Sequence, residues 1–174
     1  MEIKPFSRIA LVKILEEQLW LAFTESGICA TEFKKITTLK DFKKQLKEKT
    51  GNNFLRVDSL PKDIEEGLNQ WRIRGYSSKL QFEISTYSSF QQKVWRSCSQ
   101  TPLGKTTTYS KIAKDIKTPK AQRAVGSALG ANPIPLLIPC HRVIRNDGSV
   151  GEYAYGSDLK ELLLEREKCA NVLG

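Results

Sequence analysis

The chain has 174 residues, 40% of them hydrophobic and 27% charged, which is enough apolar material for a core and excludes disordered, collagen-like and low-complexity readings. That length suits one ordinary domain or two small ones sharing an interface. No apolar run approaches the roughly eighteen residues of a membrane-spanning helix, and a formal charge of +9 points toward a polyanionic partner.

Apolar stretches between Met1 and Phe23 are broken by Glu16 and Glu17, and no small-residue cleavage site follows, so no secretory leader is expected. Leu19, Leu21 and Phe23 alternate with Trp20, Ala22 and Thr24 ahead of Glu25-Ser26-Gly27, and Ile28, Ala30 and Glu32 follow. That pattern predicts a hairpin with a Ser-Gly turn. Thr38 to Lys49 has the spacing of a charged helix (Leu39, Phe42, Leu46), Pro61 to Leu68 that of a short one, and Leu80, Phe82 and Ile84 alternate as a strand. No repeat and no evident chemistry occurs in this half, which reads as a supporting unit ending near Thr86-Tyr87-Ser88-Ser89.

Beyond that boundary Phe90, Val94, Trp95 and Cys98 recur at helical spacing, and Thr101-Pro-Leu-Gly104 breaks the helix. Tyr109, Ile112, Ala113 and Ile116 mark a short amphipathic helix. Thr118-Pro119 then reads as the start of another, with Ala121, Ala124, Val125 and Ala128 on its inner face and Gly130 as its C-cap. Two short helices with a small-residue interface form a helix-turn-helix candidate, with Arg123 turned toward solvent. From Lys93 to Arg145 ten basic residues stand against one acid, Asp115, so this block carries the whole net charge. Nucleic acid is the simplest partner; a basic face kept for solubility is the alternative.

Four cysteines (Cys29, Cys98, Cys140, Cys169) lie far apart without a Cys-x-x-Cys pair, the pattern of reduced thiols in a cytosolic compartment. With His141 as the single histidine, a structural zinc site is not expected. In Asn132-Pro-Ile-Pro-Leu-Leu-Ile-Pro-Cys-His-Arg-Val-Ile144 an apolar run delivers Cys140 beside that histidine. A nearby imidazole can convert a thiol to the nucleophilic thiolate. Neighbouring side chains of a strand point apart, so a Cys140–His141 partnership needs a tight turn or a bridging water. A buried structural cysteine beside an incidental histidine is the bland alternative.

Around this pair stand Phe90-Gln-Gln-Lys-Val-Trp95, Thr101-Pro-Leu-Gly104, Tyr109, Arg123-Ala-Val-Gly126, Asn132-Pro133, Gly151, Tyr153, Gly156 and Lys160-Glu-Leu-Leu-Leu-Glu-Arg-Glu167, in that order. The series resembles the O6-alkylguanine-DNA alkyltransferase family, also called methylated-DNA–protein-cysteine methyltransferases. The resemblance covers roughly residues 86 to 170, with Pro139-Cys-His-Arg-Val143 its most specific part. It implies an α+β fold. Residues 1–85 would be a supporting unit around a small antiparallel sheet, and 86–174 a mostly helical alkyltransferase unit carrying the helix-turn-helix.

The resemblance further implies that Cys140 accepts the alkyl group of O6-alkylguanine once and irreversibly. His141 would take the thiol proton through a water, Glu167 would hold the imidazole, and Tyr109 would donate toward guanine N3. Arg123 would fill the place of the flipped base from the minor groove. Lys120, Ala121, Gln122 and Ser127 would line the duplex with salt-sensitive, sequence-independent affinity. Asn132 would act as a hinge between the recognition helix and the Cys140 segment. Val143, Tyr153, Ala154, Tyr155, Pro135 and Asn132 would form the base pocket, with Tyr155, where some relatives have glycine, narrowing it against bulky O6-benzyl adducts. The implied partner is double-stranded DNA, bound by a monomer without metal or soluble cofactor and without a membrane. Some relatives hold zinc in the N-terminal half; here that half has only Cys29 and no histidine. Other classes consistent with parts of the sequence are a non-catalytic damage binder, a helix-turn-helix regulator with a sensor thiol, and a thiol hydrolase that turns over.

Overall fold

The computed structural model describes residues 7–172, so the first six residues of the stretch read for a leader lie outside the described residues. β1 (Arg8–Ile14) and β2 (Glu17–Thr24) pair antiparallel from Arg8↔Phe23 to Ile14↔Glu17. Leu15 and Glu16 join them, both with positive φ (49° and 65°), the conformation a two-residue hairpin requires. β3 (Gly27–Phe33) pairs with β2, and the two-residue β4 (Leu55–Arg56) runs parallel to β1, giving the order β3-β2-β1-β4.

The predicted β2–β3 hairpin is present. Gly27 adopts φ 128°, and a Cβ there would lie 2.4 Å from the Gln81 carbonyl, so glycine is what lets the chain return along β3. That return is shorter than the strand expected over Leu80 to Ile84. Only Phe82 bridges to Ile28, through Ile28 N–H to Gln81 O and Glu83 N–H to Ile28 O, both 2.8 Å.

α1 (Leu39–Thr50) starts on Thr38, whose hydroxyl accepts from the Asp41 amide, and ends on left-handed Gly51. α2 (Lys62–Arg74) runs six residues past Leu68, because Trp71 continues the buried face of Ile64 and Leu68. α3 (Ser89–Cys98) opens with a Ser88–Gln91 capping box and buries Val94, Trp95 and Cys98. β5 (Thr107–Thr108) leads into α4 (Tyr109–Asp115), and α5 (Gln122–Gly130) follows as the second helix of the helix-turn-helix. The Trp95 indole N–H ties α3 to α5 through the Ala128 carbonyl at 2.8 Å.

Thr118 does not start α5. Its amide and hydroxyl both donate to the Ala113 carbonyl and finish α4 instead, so α5 begins at Gln122 with no side chain capping it. Its buried face is Val125, Ala128 and Leu129, and Ala124 is exposed. Gly130 is the last helical residue but has no left-handed φ; the Ala131 amide closes the helix.

The run Leu136–Ile138 is buried but turns rather than forming a strand, with Leu136 at φ 68°. A short 3-10 turn (Cys140–Arg142), β6 (Val143–Ile144, parallel to β5) and α6 (Ser157–Val172) complete the chain. One apolar cluster runs from Leu21, Phe33, Leu68 and Trp71 to Trp95, Val125, Ile138, Cys140 and Leu163, so both halves contribute to a common core. Among the described residues no helix is long and apolar enough to cross a membrane.

Candidate active site

Asn132 sets the approach to Cys140. Its amide nitrogen donates to the Ile138 carbonyl at 2.8 Å and to Cys140 Sγ at 3.2 Å, while its oxygen accepts from the Ile134 amide at 2.9 Å. The N-terminal half grips the same segment. Thr31 N–H and Oγ1 donate to the carbonyls of Pro133 (3.0 Å) and Pro135 (2.7 Å), and the Trp71 indole donates to that of Leu137 (3.2 Å). The chain then turns into the 3-10 helix, which points His141 Nε2 to Glu167 and makes no direct hydrogen bond between Cys140 and His141 Nδ1.

Cys140 borders an open cavity of about 1060 Å³ together with Tyr109, Gln122, Arg123, Gly126, Arg145, Tyr153 and Ala154. Burial raises its thiol pKa, opposed by the Asn132 hydrogen bond and the Lys160 charge, so the resting sulfur is protonated. His141 is fully buried. Its Nε2 lies 2.6 Å from Glu167 Oε1, and its Nδ1 has no hydrogen-bond partner. Burial lowers the imidazole pKa against the pull of Glu167, leaving a neutral ring with Nδ1 free to accept a proton. Burial also works against the Glu167 carboxylate, but hydrogen bonds from His141 and Arg142 outweigh it and lower its pKa.

Tyr109 is half-buried at the mouth of the cavity, its phenol pKa raised by burial and then by Cys140. Tyr153 is pushed up more strongly by the same two causes, and its buried hydroxyl has no hydrogen-bond partner. Arg123 and Gln122 project from the first turn of α5 into the cavity. Lys120 and Ser127 are exposed and Ala121 half-buried, all beside the cavity rather than lining it.

The pocket set divides. Tyr153 and Ala154 line the cavity; Val143, Pro135, Asn132 and Tyr155 do not. Val143 is fully buried and its carbonyl accepts from Lys160 Nζ at 2.6 Å. Pro135 is buried with its carbonyl taken by Thr31, and Asn132 supports Cys140 from behind. Tyr155 does not narrow the cavity at Cys140. Its ring packs edge-on against Phe33, centroids 4.7 Å apart, and lines a separate cleft with Glu32.

Two charged residues that stand in the quoted motifs without an expected role prove to be buried. Lys160 is fully buried, and burial lowers its amine to about 8. Arg142, also fully buried, donates to both Glu167 oxygens. A signal for Lys160 existed: positions 160, 163 and 167 share one face of α6, so a lysine there lies on the buried stripe of Leu163 and Glu167. Among the described residues no group of three or more His, Cys, Asp or Glu is arranged to hold a metal ion.

A family model described as the DNA-binding domain of 6-O-methylguanine DNA methyltransferase matches residues 89–169. A methylated-DNA–protein-cysteine methyltransferase of Methanosarcina mazei is 37% identical over 152 residues, 85% of this chain and 89% of that protein. The inducible methylated-DNA–protein-cysteine methyltransferase of Bacillus subtilis is 49% identical over 84 residues, 48% of this chain and 47% of its own. Among solved structures, Mycobacterium tuberculosis OGT in complex with DNA matches with a TM-score of 0.72 at 28% identity, over 94% of each chain.

Proposed function

The chain belongs to the methylated-DNA–protein-cysteine methyltransferase family, and from that membership we propose that Cys140 is the thiol that takes the alkyl group. The protein repairs DNA by direct reversal, transferring an alkyl group from the damaged strand to one of its own cysteines. In this reading the substrate is O6-alkylguanine in duplex DNA, bound by a monomer from the minor groove without regard to sequence. The chain divides into a supporting part, residues 1–85, and an alkyltransferase part, residues 86–174.

One observation carries the assignment. Cys140 opens into the same cavity as Tyr109 and Arg123, one residue from the 2.6 Å His141–Glu167 bond. Glu167 fixes the tautomer with hydrogen on Nε2, which leaves Nδ1 to receive the thiol proton by way of a water. The thiolate attacks the alkyl carbon in line; the carbon–O6 bond breaks, its electron pair stays on guanine, and Tyr109 supplies a proton at N3. A thioether has no hydrolytic exit, so each molecule acts once. Arg123, exposed at the start of α5, fills the gap in the base stack, and extrusion of the base costs a few kcal/mol. Lys120, Ala121, Gln122 and Ser127 face the duplex around it.

The test is intact-protein mass after incubation with a duplex holding one O6-methylguanine. A single methyl-sized increase is expected, absent from Cys140→Ala. Tight lesion binding without an adduct would favour a damage binder instead, and repeated turnover a hydrolase.

A further inference from the structure

Arg142 is fully buried, and each of its nitrogens is committed. Nε donates to both Glu167 oxygens (3.0 and 2.9 Å) and Nη2 to Oε1 (2.9 Å). Nη1 reaches the carbonyls of Gly75 (2.7 Å) and Thr101 (2.5 Å), and the guanidinium stacks 5.2 Å from the Trp71 ring centroid. Glu167 Oε1, the atom that holds His141, therefore also holds two donors of Arg142. Gly75 is left-handed at the end of α2, and a Cβ there would lie 2.8 Å from Arg142 Nη1 and 2.4 Å from the Leu103 amide. The end of α2 is thus shaped to seat the guanidinium.

We propose that Arg142 is a positioning residue that divides the Glu167 carboxylate between itself and His141, seated on the α2 terminus so that the N-terminal half sets how tightly the imidazole is held. The proposal rests on the reading of His141 as proton acceptor. With Glu167 and Arg142 cancelling each other, a proton on His141 adds a net buried charge, so the ring stays neutral until the chemical step. The other groups facing His141 are Lys160 from α6, which opposes protonation, and Cys140 in its own turn. From α3, packed against this turn, Cys98 is the titratable group near the site.

Because His141 is the single histidine, its imidazole resonances can be followed by NMR against pH without reference to activity. The wild-type ring should titrate below the ordinary value of about 6.5. Arg142→Gln leaves Glu167 to His141 alone and should raise that value by about one unit. Arg142→Lys keeps the charge but not the fork, and should raise it part of the way; this variant carries the test if Arg142→Gln does not fold. The acid limb of the single-turnover alkylation rate should move in parallel, costing nearly tenfold on the limb and little on the plateau. Unchanged His141 titration in the folded variants overturns the proposal and leaves Arg142 a structural clamp. Shifted titration with an alkylation rate indifferent to His141→Ala would instead overturn the proton-acceptor reading.

Discussion

At Cys140 burial holds the thiol in its protonated form, so the proposed alkyl transfer depends on a neighbour that can take the proton. His141 is suited to this because its own burial keeps it neutral. Lys160 shows the same force acting on a cation. Its pKa is about 8 when folded, against 10.5 for a free lysine. Below pH 8 both the folded and unfolded states carry the proton; between about 8 and 10.5 the unfolded state binds more, so stability rises with pH across that window. Relative to Lys160→Met, the wild-type protein should gain about 1–3 kcal/mol between pH 8 and 10.5, read from urea midpoints at both ends. Equal slopes for the two proteins would refute this. The sequence singled out Cys140, His141 and Glu167 because a long series of motifs stood in order around them, and the fold sets His141 Nε2 2.6 Å from Glu167 beside Cys140. The burial of Arg142 was not legible even though it stands in the same motif, since one more arginine in a basic block reads as surface, and only the fold reveals that Gly75, Thr101 and Glu167 close over it.

Among the elements, those with clear apolar periodicity were readable: Leu39, Phe42 and Leu46 in α1, Phe90, Val94, Trp95 and Cys98 in α3, and the alternation of β2 and β3. β1 was missed. It is buried on both faces at several positions and no Gly or Asn marks its turn, where Leu15 and Glu16 adopt the left-handed conformation instead. The start of α5 was misread because Thr118-Pro119 carries a capping signature that the end of α4 uses. β3 has a second role beyond the sheet, through the Thr31 hydroxyl that holds the Pro135 carbonyl inside the protein. Thr31→Val keeps the shape and strands that carbonyl, which should cost about 1–3 kcal/mol in urea unfolding. Alkylation should slow as well if the segment ahead of Cys140 loosens. A loss under about 0.5 kcal/mol would mean the loop is held elsewhere.

For the whole molecule, the sequence offers a division near residue 85 as a change of texture but not the common core, because contacts between distant segments leave no local pattern. Leu68, Trp71 and Phe33 share one apolar cluster with Ile138, Cys140 and Leu163. Residues 86–174 expressed alone should therefore unfold without a cooperative transition and take up no methyl group. A sharp melt together with the methyl-sized mass increase would show an independent alkyltransferase unit. Beside that apolar cluster, the hydrogen bonds of the joint go mostly to backbone carbonyls, with Thr31 and Trp71 reaching those of Pro133, Pro135 and Leu137, and Arg142 reaching that of Gly75. Every residue type offers such a carbonyl. A joint of that kind does not register which side chain sits at positions 133, 135 and 137, so over generations it constrains those positions less than it constrains Thr31, Trp71 and Arg142, whose side chains reach across it.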